Sequence, residues 1–169
     1  MLNVLHEIER ALPELLRDPR ALTEWRSLDV DYEPPRVERV YRDVGAHRVS
    51  LHVIHPCPAG RALFHPHPWP SAMRVLSGTY EMAVGAGAGE VPPRVALTLV
   101  ARGPLEYEMV DPDGWHSVRP IGGPSLSVMV TGAPWARWSP KSEAPLEPLS
   151  PARVAEILEA FRARYPARV

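Results

Sequence analysis

Apolar residues recur at three- and four-residue spacing at the start of the chain: Leu5, Ile8, Leu12, Leu15 and Leu16. This spacing predicts an amphipathic helix, kinked or divided at Pro13 and stopped by Asp18-Pro19. A second helical stretch, weakly periodic, is expected from Ala21 to Leu28, and Pro34-Pro35 closes this helical part. Beyond it the period drops to about 2. Short strands are expected at Val37 to Arg42, Arg48 to Ile54, Met73 to Leu76, Thr79 to Val84, Val95 to Val100, Leu105 to Val110, His116 to Val118 and Leu126 to Thr131. Turn residues separate them, among them Ser77-Gly78, Arg102-Gly103-Pro104, Asp111 to Gly114 and Ile121 to Pro124. Val49, Leu51 and Val53 alternate with Ser50 and His52, as Leu105, Tyr107 and Met109 do with Glu106 and Glu108, so each strand is expected to bury one face. Gly85 to Gly89 lacks the lysine and hydroxyl of a phosphate loop and reads as a flexible hairpin loop. Near the C-terminus Ser150-Pro151 is a helix start, and Val154, Ile157, Leu158 and Phe161 form one apolar stripe.

This is an all-β pattern bracketed by helices, of the kind that closes into a sandwich or barrel. Composition sharpens it. A chain of 169 residues suits one domain, organised as a helical segment over 1–36, a barrel over 37–131 and a C-terminal segment over 132–169 that packs on the barrel. Twenty-one prolines with 45% hydrophobic residues argue for many corners rather than disorder. A net charge of −1 without a basic run argues against nucleic acid or an anionic membrane as partner. The single cysteine, Cys57, fits a reducing compartment, and no leader or spanning segment is legible, so a cytoplasmic location is expected.

His65-Pro66-His67 carries the chemistry. Two histidines two apart on an extended chain project to one side and can offer two imidazole nitrogens to one metal. Seven histidines in 169 residues give about 0.3 such pairs by chance, so the surroundings decide. The segment from Gly60 through His65-Pro-His67 to Val75-Leu76-Ser77-Gly78 resembles the first motif of the cupin superfamily, and Pro112-Asp-Gly114-Trp-His116 resembles the second. The resemblance covers residues 37 to 131 and implies a double-stranded β-helix, or jelly-roll, barrel with its site in the mouth. It departs in one chemically important place: Ser71 stands where the family's metal-binding glutamate is expected.

The resemblance implies one divalent metal on His65, His67 and His116, with iron(II) the first expectation and zinc, nickel or copper the alternatives. Three neutral imidazoles leave the ion its full charge and open positions, which favours an anionic ligand. By similarity to the three-histidine thiol dioxygenases and related members, the implied activity is an iron(II) oxygenase acting on a small anionic organic molecule. A non-catalytic binding or sensing cupin and a metal-assisted isomerase or lyase are the alternatives. Arg61 is a candidate for a substrate carboxylate, with Trp69, Ser71, Met73 and Trp115 as further substrate-binding candidates. Tyr107 and His55 are the acid-base candidates, with Tyr80 behind them; His55 shares the phase of Val49, Leu51 and Val53. His6, His47 and His52 are expected at the surface. A homodimer is expected, paired through an exposed strand or by the segment up to Arg36 crossing to a partner.

Overall fold

The computed structural model describes residues 1–167; residues 168 and 169 of the C-terminal segment lie outside it. Helix α1 (Leu2–Leu15) leads into a single helical turn, α2 (Ala21–Glu24), and then into eight strands: β1 (Arg26–Val30), β2 (Val37–Val44), β3 (His47–Ile54), β4 (His65–Pro66), β5 (Ser71–Ala86), β6 (Leu97–Arg102), β7 (Leu105–Met109) and β8 (Gly114–Thr131). Helix α3 (Pro151–Arg164) closes the chain.

All pairings are antiparallel. The two long strands β5 and β8 pair along their whole length and belong to two layers at once. One layer runs β1-β2-β3, then the second half of β8, the first half of β5, and β7; the other runs β4, the first half of β8, the second half of β5, and β6. The layers face each other. Ile54 and Val75 from the first meet Tyr80, Met82 and Val118 from the second in one apolar cluster.

Ser77-Gly78 and Ile121 to Pro124, expected as turns between separate strands, are instead bends within β5 and β8. The register shifts between Val75 and Ser77 and again between Ser77 and Thr79, where extra residues bend the paired strands without ending them. Gly78 (φ +98°) makes the bend possible, since a Cβ there would sit 3.0 Å from the Ser125 Cβ.

The outer face of the first layer is covered. Val40, Val49, Leu51, Val53, Ala72, Val128 and Val130 pack against Leu5, Ile8, Leu12 and Leu16 from the N-terminal part and Ile157, Leu158 and Phe161 from α3. Each of these side chains larger than alanine contributes about 1.5–3 kcal/mol on burial. Strand β3 is therefore buried on both faces, not one as its alternation suggested: odd positions face the helices, even positions the barrel interior. Two further expectations change. Pro13 does not divide α1, because it falls in the last turn and is itself buried. The stretch from Ala21 to Leu28 is helical only to Glu24, and Arg26–Val30 pairs with β2, so the sheet begins before residue 37. Ser150 caps α3, its Oγ accepting from the Arg153 N–H at 3.2 Å.

Candidate metal centre

Prolines at 66, 68 and 70 hold the chain extended around His65 and His67, so the two rings leave on one side. Strand β4 pairs with the start of β8 such that His65 lies opposite His116. The three rings converge, with centroids 5.4 Å (His65 to His67), 5.0 Å (His65 to His116) and 4.6 Å (His67 to His116) apart. One nitrogen from each lies within 4.8 Å of the others.

Their protonation suits ligation. Burial, with repulsion from His65, Arg39 and His52, holds His67 well below the ordinary histidine range; burial and the Arg39 charge hold His65 below it against the opposing Leu63 hydrogen bond; burial and the other two histidines hold His116 well below it. All three are neutral at pH 7. The Leu63 carbonyl can only accept, so His65 Nδ1–H donates to it at 3.0 Å and leaves Nε2 with a free lone pair. His67 Nδ1 is held by the Ser71 Oγ at 2.9 Å, which turns Nε2 inward. There it meets His116 Nε2 at 2.9 Å. Two nitrogens each about 2.1 Å from one ion, at a right angle, stand about 3.0 Å apart. The donors present therefore fit a divalent cation, supplied by the same three residues that the motif resemblance indicates.

The trio forms one wall of a cavity of about 260 Å³, also lined by Val37, Arg39, His52, Trp69, Met73 and Met129. The segment after β8 lies across it and contributes Ser139 to Ser142. Ser139 Oγ donates to the Pro66 carbonyl at 3.3 Å, Trp135 N–H to the Pro68 carbonyl at 2.7 Å, and Tyr32 OH to the Pro140 carbonyl at 3.2 Å, tying this strap to the histidine loop and to the β1-β2 connection. Among the described residues, no carboxylate lines the cavity; its charged side chains are Arg39 and Lys141.

Of the residues singled out from sequence, Trp69 and Met73 line this cavity. Ser71 does not: it is buried behind His67, and its hydroxyl serves that ring. Arg61 is exposed on a turn and does not line the histidine cavity; the cations there are Arg39 and Lys141. His55 points the other way, because the odd positions of this segment face the helices; its Nε2 hydrogen-bonds Glu38 at 2.8 Å beside Arg153 of α3. Tyr107 and Trp115 border a separate apolar recess of about 380 Å³ behind His116. Tyr107 OH lies 3.1 Å from Tyr80 OH and donates to the Met73 sulfur at 3.0 Å, and burial pushes its pKa well up. Trp115 Nε1 donates to the Gly87 carbonyl at 2.8 Å.

His52, expected at the surface, is buried in the cavity wall, where its Nε2 accepts from Arg39 Nε at 3.0 Å. Sequence reasoning missed Arg39, His52 and Lys141 as site residues. A signal for the first existed in the alternation of Val37, Arg39 and Tyr41 against Glu38 and Val40.

No family model and no curated protein matches the sequence. Among solved structures, the chain is similar to hydroxypropylphosphonic acid epoxidase from S. wedmorenis (16% identity, 64% of this chain and 56% of that one, TM-score 0.49). It is also similar to KdgF from Halomonas sp. (12% identity, 67% and 87%, TM-score 0.45). The match spans little more than half of the epoxidase. Identities and scores at this level assign neither activity nor substrate. No helix is long and apolar enough to cross a membrane among the described residues.

Proposed function

We infer that this chain is a cupin, on its folded antiparallel barrel and on the two strands that carry its histidines, and that it is a metal-dependent oxygenase acting on a small anionic organic molecule. One observation carries the reading: three neutral imidazoles, two buried and one half-buried, converge on a cavity whose charged side chains, among the described residues, are all cations. His65, His67 and His116 would hold the metal, with iron(II) the first choice, and a bound iron(II) would supply open coordination positions and a redox couple for dioxygen chemistry.

The chain's own residues do the rest. Leu63 and Ser71 fix the rings of His65 and His67, so these two rings are held in place before an ion enters. Trp69, Met73 and Met129 give the cavity apolar walls, and the strap of residues 139–142 lies across it. Arg39 and Lys141 draw an anion inward. Proton transfer is poorly served: His55 lies on the helix side, and Tyr107 is engaged with Tyr80 and Met73. That placement favours redox chemistry over an isomerase or lyase, both of which need an acid or base at the substrate.

The test is metal analysis of untagged protein purified without oxygen, beside His65→Ala and His116→Ala, followed by oxygen-uptake screening of small organic acids. Near-stoichiometric iron lost from both variants, with uptake that follows it, supports the reading. Metal at background in all three proteins, or a bound organic molecule never turned over, replaces it with a binding cupin.

A further inference from the structure

Two cavities of opposite character meet at His116. The histidine cavity carries Arg39 and Lys141, whereas the recess of about 380 Å³ behind the ring is lined by Met82, Val84, Tyr107 and Met109. The recess lies between the layers: Met82 and Val84 come from the second half of β5, Tyr107 and Met109 from β7, and Val84 is the cross-strand partner of His116.

The polar side-chain atoms around this recess are already engaged. Tyr107 OH is held by Tyr80 OH and the Met73 sulfur, and Trp115 Nε1 donates to the Gly87 carbonyl. The Glu108 carboxylate is drawn to the Met1 ammonium at 2.8 Å and the Leu2 N–H at 2.9 Å. At the rim, Asp111 Oδ1 accepts from the Asp113 N–H at 2.9 Å. His116 Nε2 faces His67, and its Nδ1, though without a partner, is buried out of reach of water. These side chains offer water little, and an apolar molecule displaces it without breaking a polar contact.

The wall between the two cavities is thin. His116 lines both, and Tyr107 on one side hydrogen-bonds Met73 on the other at 3.0 Å. Met73 is unbranched and adaptable, so its rotamer changes pass a diatomic gas but not an organic molecule.

We propose that the recess is an apolar gas chamber that delivers dioxygen to the histidine trio past His116 and Met73, while the organic anion occupies the cavity under the strap. This rests on the oxygenase reading above and adds a separate entry for the second substrate. The substrates differ as the cavities do: the anion is drawn by Arg39 and Lys141, whereas dioxygen carries neither charge nor dipole and partitions into apolar surroundings. An anion seated under the strap would block a shared route. Entry from behind His116 leaves dioxygen a path when the anion is already bound.

Xenon, an apolar atom close in size to dioxygen, is the probe. Crystals of the metal-loaded protein pressurised with xenon are expected to hold it in the recess beside Val84 and Met109. Val84→Phe places a ring in the recess and is expected to remove the xenon and raise the KM for dioxygen about threefold or more, with the KM for the organic acid and the metal content unchanged. Met109→Trp fills the recess from the facing layer and makes the same test if the first variant does not fold. Xenon absent from the wild-type recess or confined to the Arg39 cavity, or a filled recess that leaves the KM for dioxygen unchanged, overturns the proposal. A KM for the acid that rises in step with that for dioxygen also overturns it, because the recess would then hold part of the organic substrate. The wild-type measurement needs neither a variant nor turnover. Xenon in the recess of a protein that consumes no dioxygen supports the chamber while overturning the oxygenase reading.

Discussion

Removing the Glu38 carboxylate is expected to loosen α3 from the barrel by an amount set by pH. Glu38 is 3% exposed on the outer face of β2. Its Oε1 accepts from Arg153 Nε at 2.8 Å and its Oε2 from Arg153 at 2.7 Å, a two-point pairing that ties the first turn of α3 to the sheet, and His55 Nε2 adds a third contact at 2.8 Å. Arg153 first, then His55, hold the carboxyl down from 4.5 to about 2 against the opposing effect of burial. A shift of that size, at about 1.4 kcal/mol per unit, corresponds to about 3 kcal/mol. Arg153 is 36% exposed and regains water when the pair is broken, so Glu38→Gln is expected to cost about 2–3 kcal/mol at pH 7. The sign follows from the depressed value. The contribution is complete above the unfolded pKa near 4.5 and is lost as pH falls toward 2, so the gap between wild type and variant closes across that window. Urea unfolding followed by circular dichroism at pH 7, 4 and 2.5 measures it. A gap under about 0.5 kcal/mol at pH 7, or one that stays constant with pH, refutes the reasoning.

Two other substitutions probe the centre and the bend. Ser71→Ala removes the hydroxyl that fixes His67 and is expected to weaken metal affinity about 10- to 100-fold with little change in fold, measured by chelator competition; unchanged affinity would mean the ring is oriented by packing alone. Gly78→Ala forces a Cβ into left-handed backbone 3.0 Å from Ser125 and is expected to destabilise by more than about 1 kcal/mol; a melting temperature equal to wild type would show that the bend does not need glycine.

The terminal helices and the strand positions were legible because one-sided burial writes itself as periodicity. The same logic failed where burial is two-sided. Ser50 and His52 look like solvent-facing positions, yet both are buried and His52 lines the cavity; a polar residue looks the same whether it meets water outside the protein or in a cavity. His55 was misplaced by the converse error, its apolar phase being that of the helix-covered face. Arg61 drew attention by lying close to His65 in sequence, whereas Arg39 is near the site only because β2 pairs with β3 and sets Arg39 opposite His52. Such a register is a long-range fact that local spacing does not contain. Ser77-Gly78 carries the composition of a turn because a bulge and a turn make the same demand on the backbone.

Glu38 and Arg39 are adjacent on β2 and therefore point to opposite faces, the acid outward to Arg153 and the base inward to the cavity. Sliding β2 by a single position would exchange them. A carboxylate would then enter the recess, and a guanidinium would be driven against the Arg153 guanidinium under α3. Both errors carry an electrostatic penalty beyond the loss of apolar alternation, so the neighbouring opposite charges act as a parity check on the strand: only the even or the odd reading of β2 is electrically permissible. Loop insertions between β1 and β2 are consequently tolerated only when the chain re-enters β2 in its original phase.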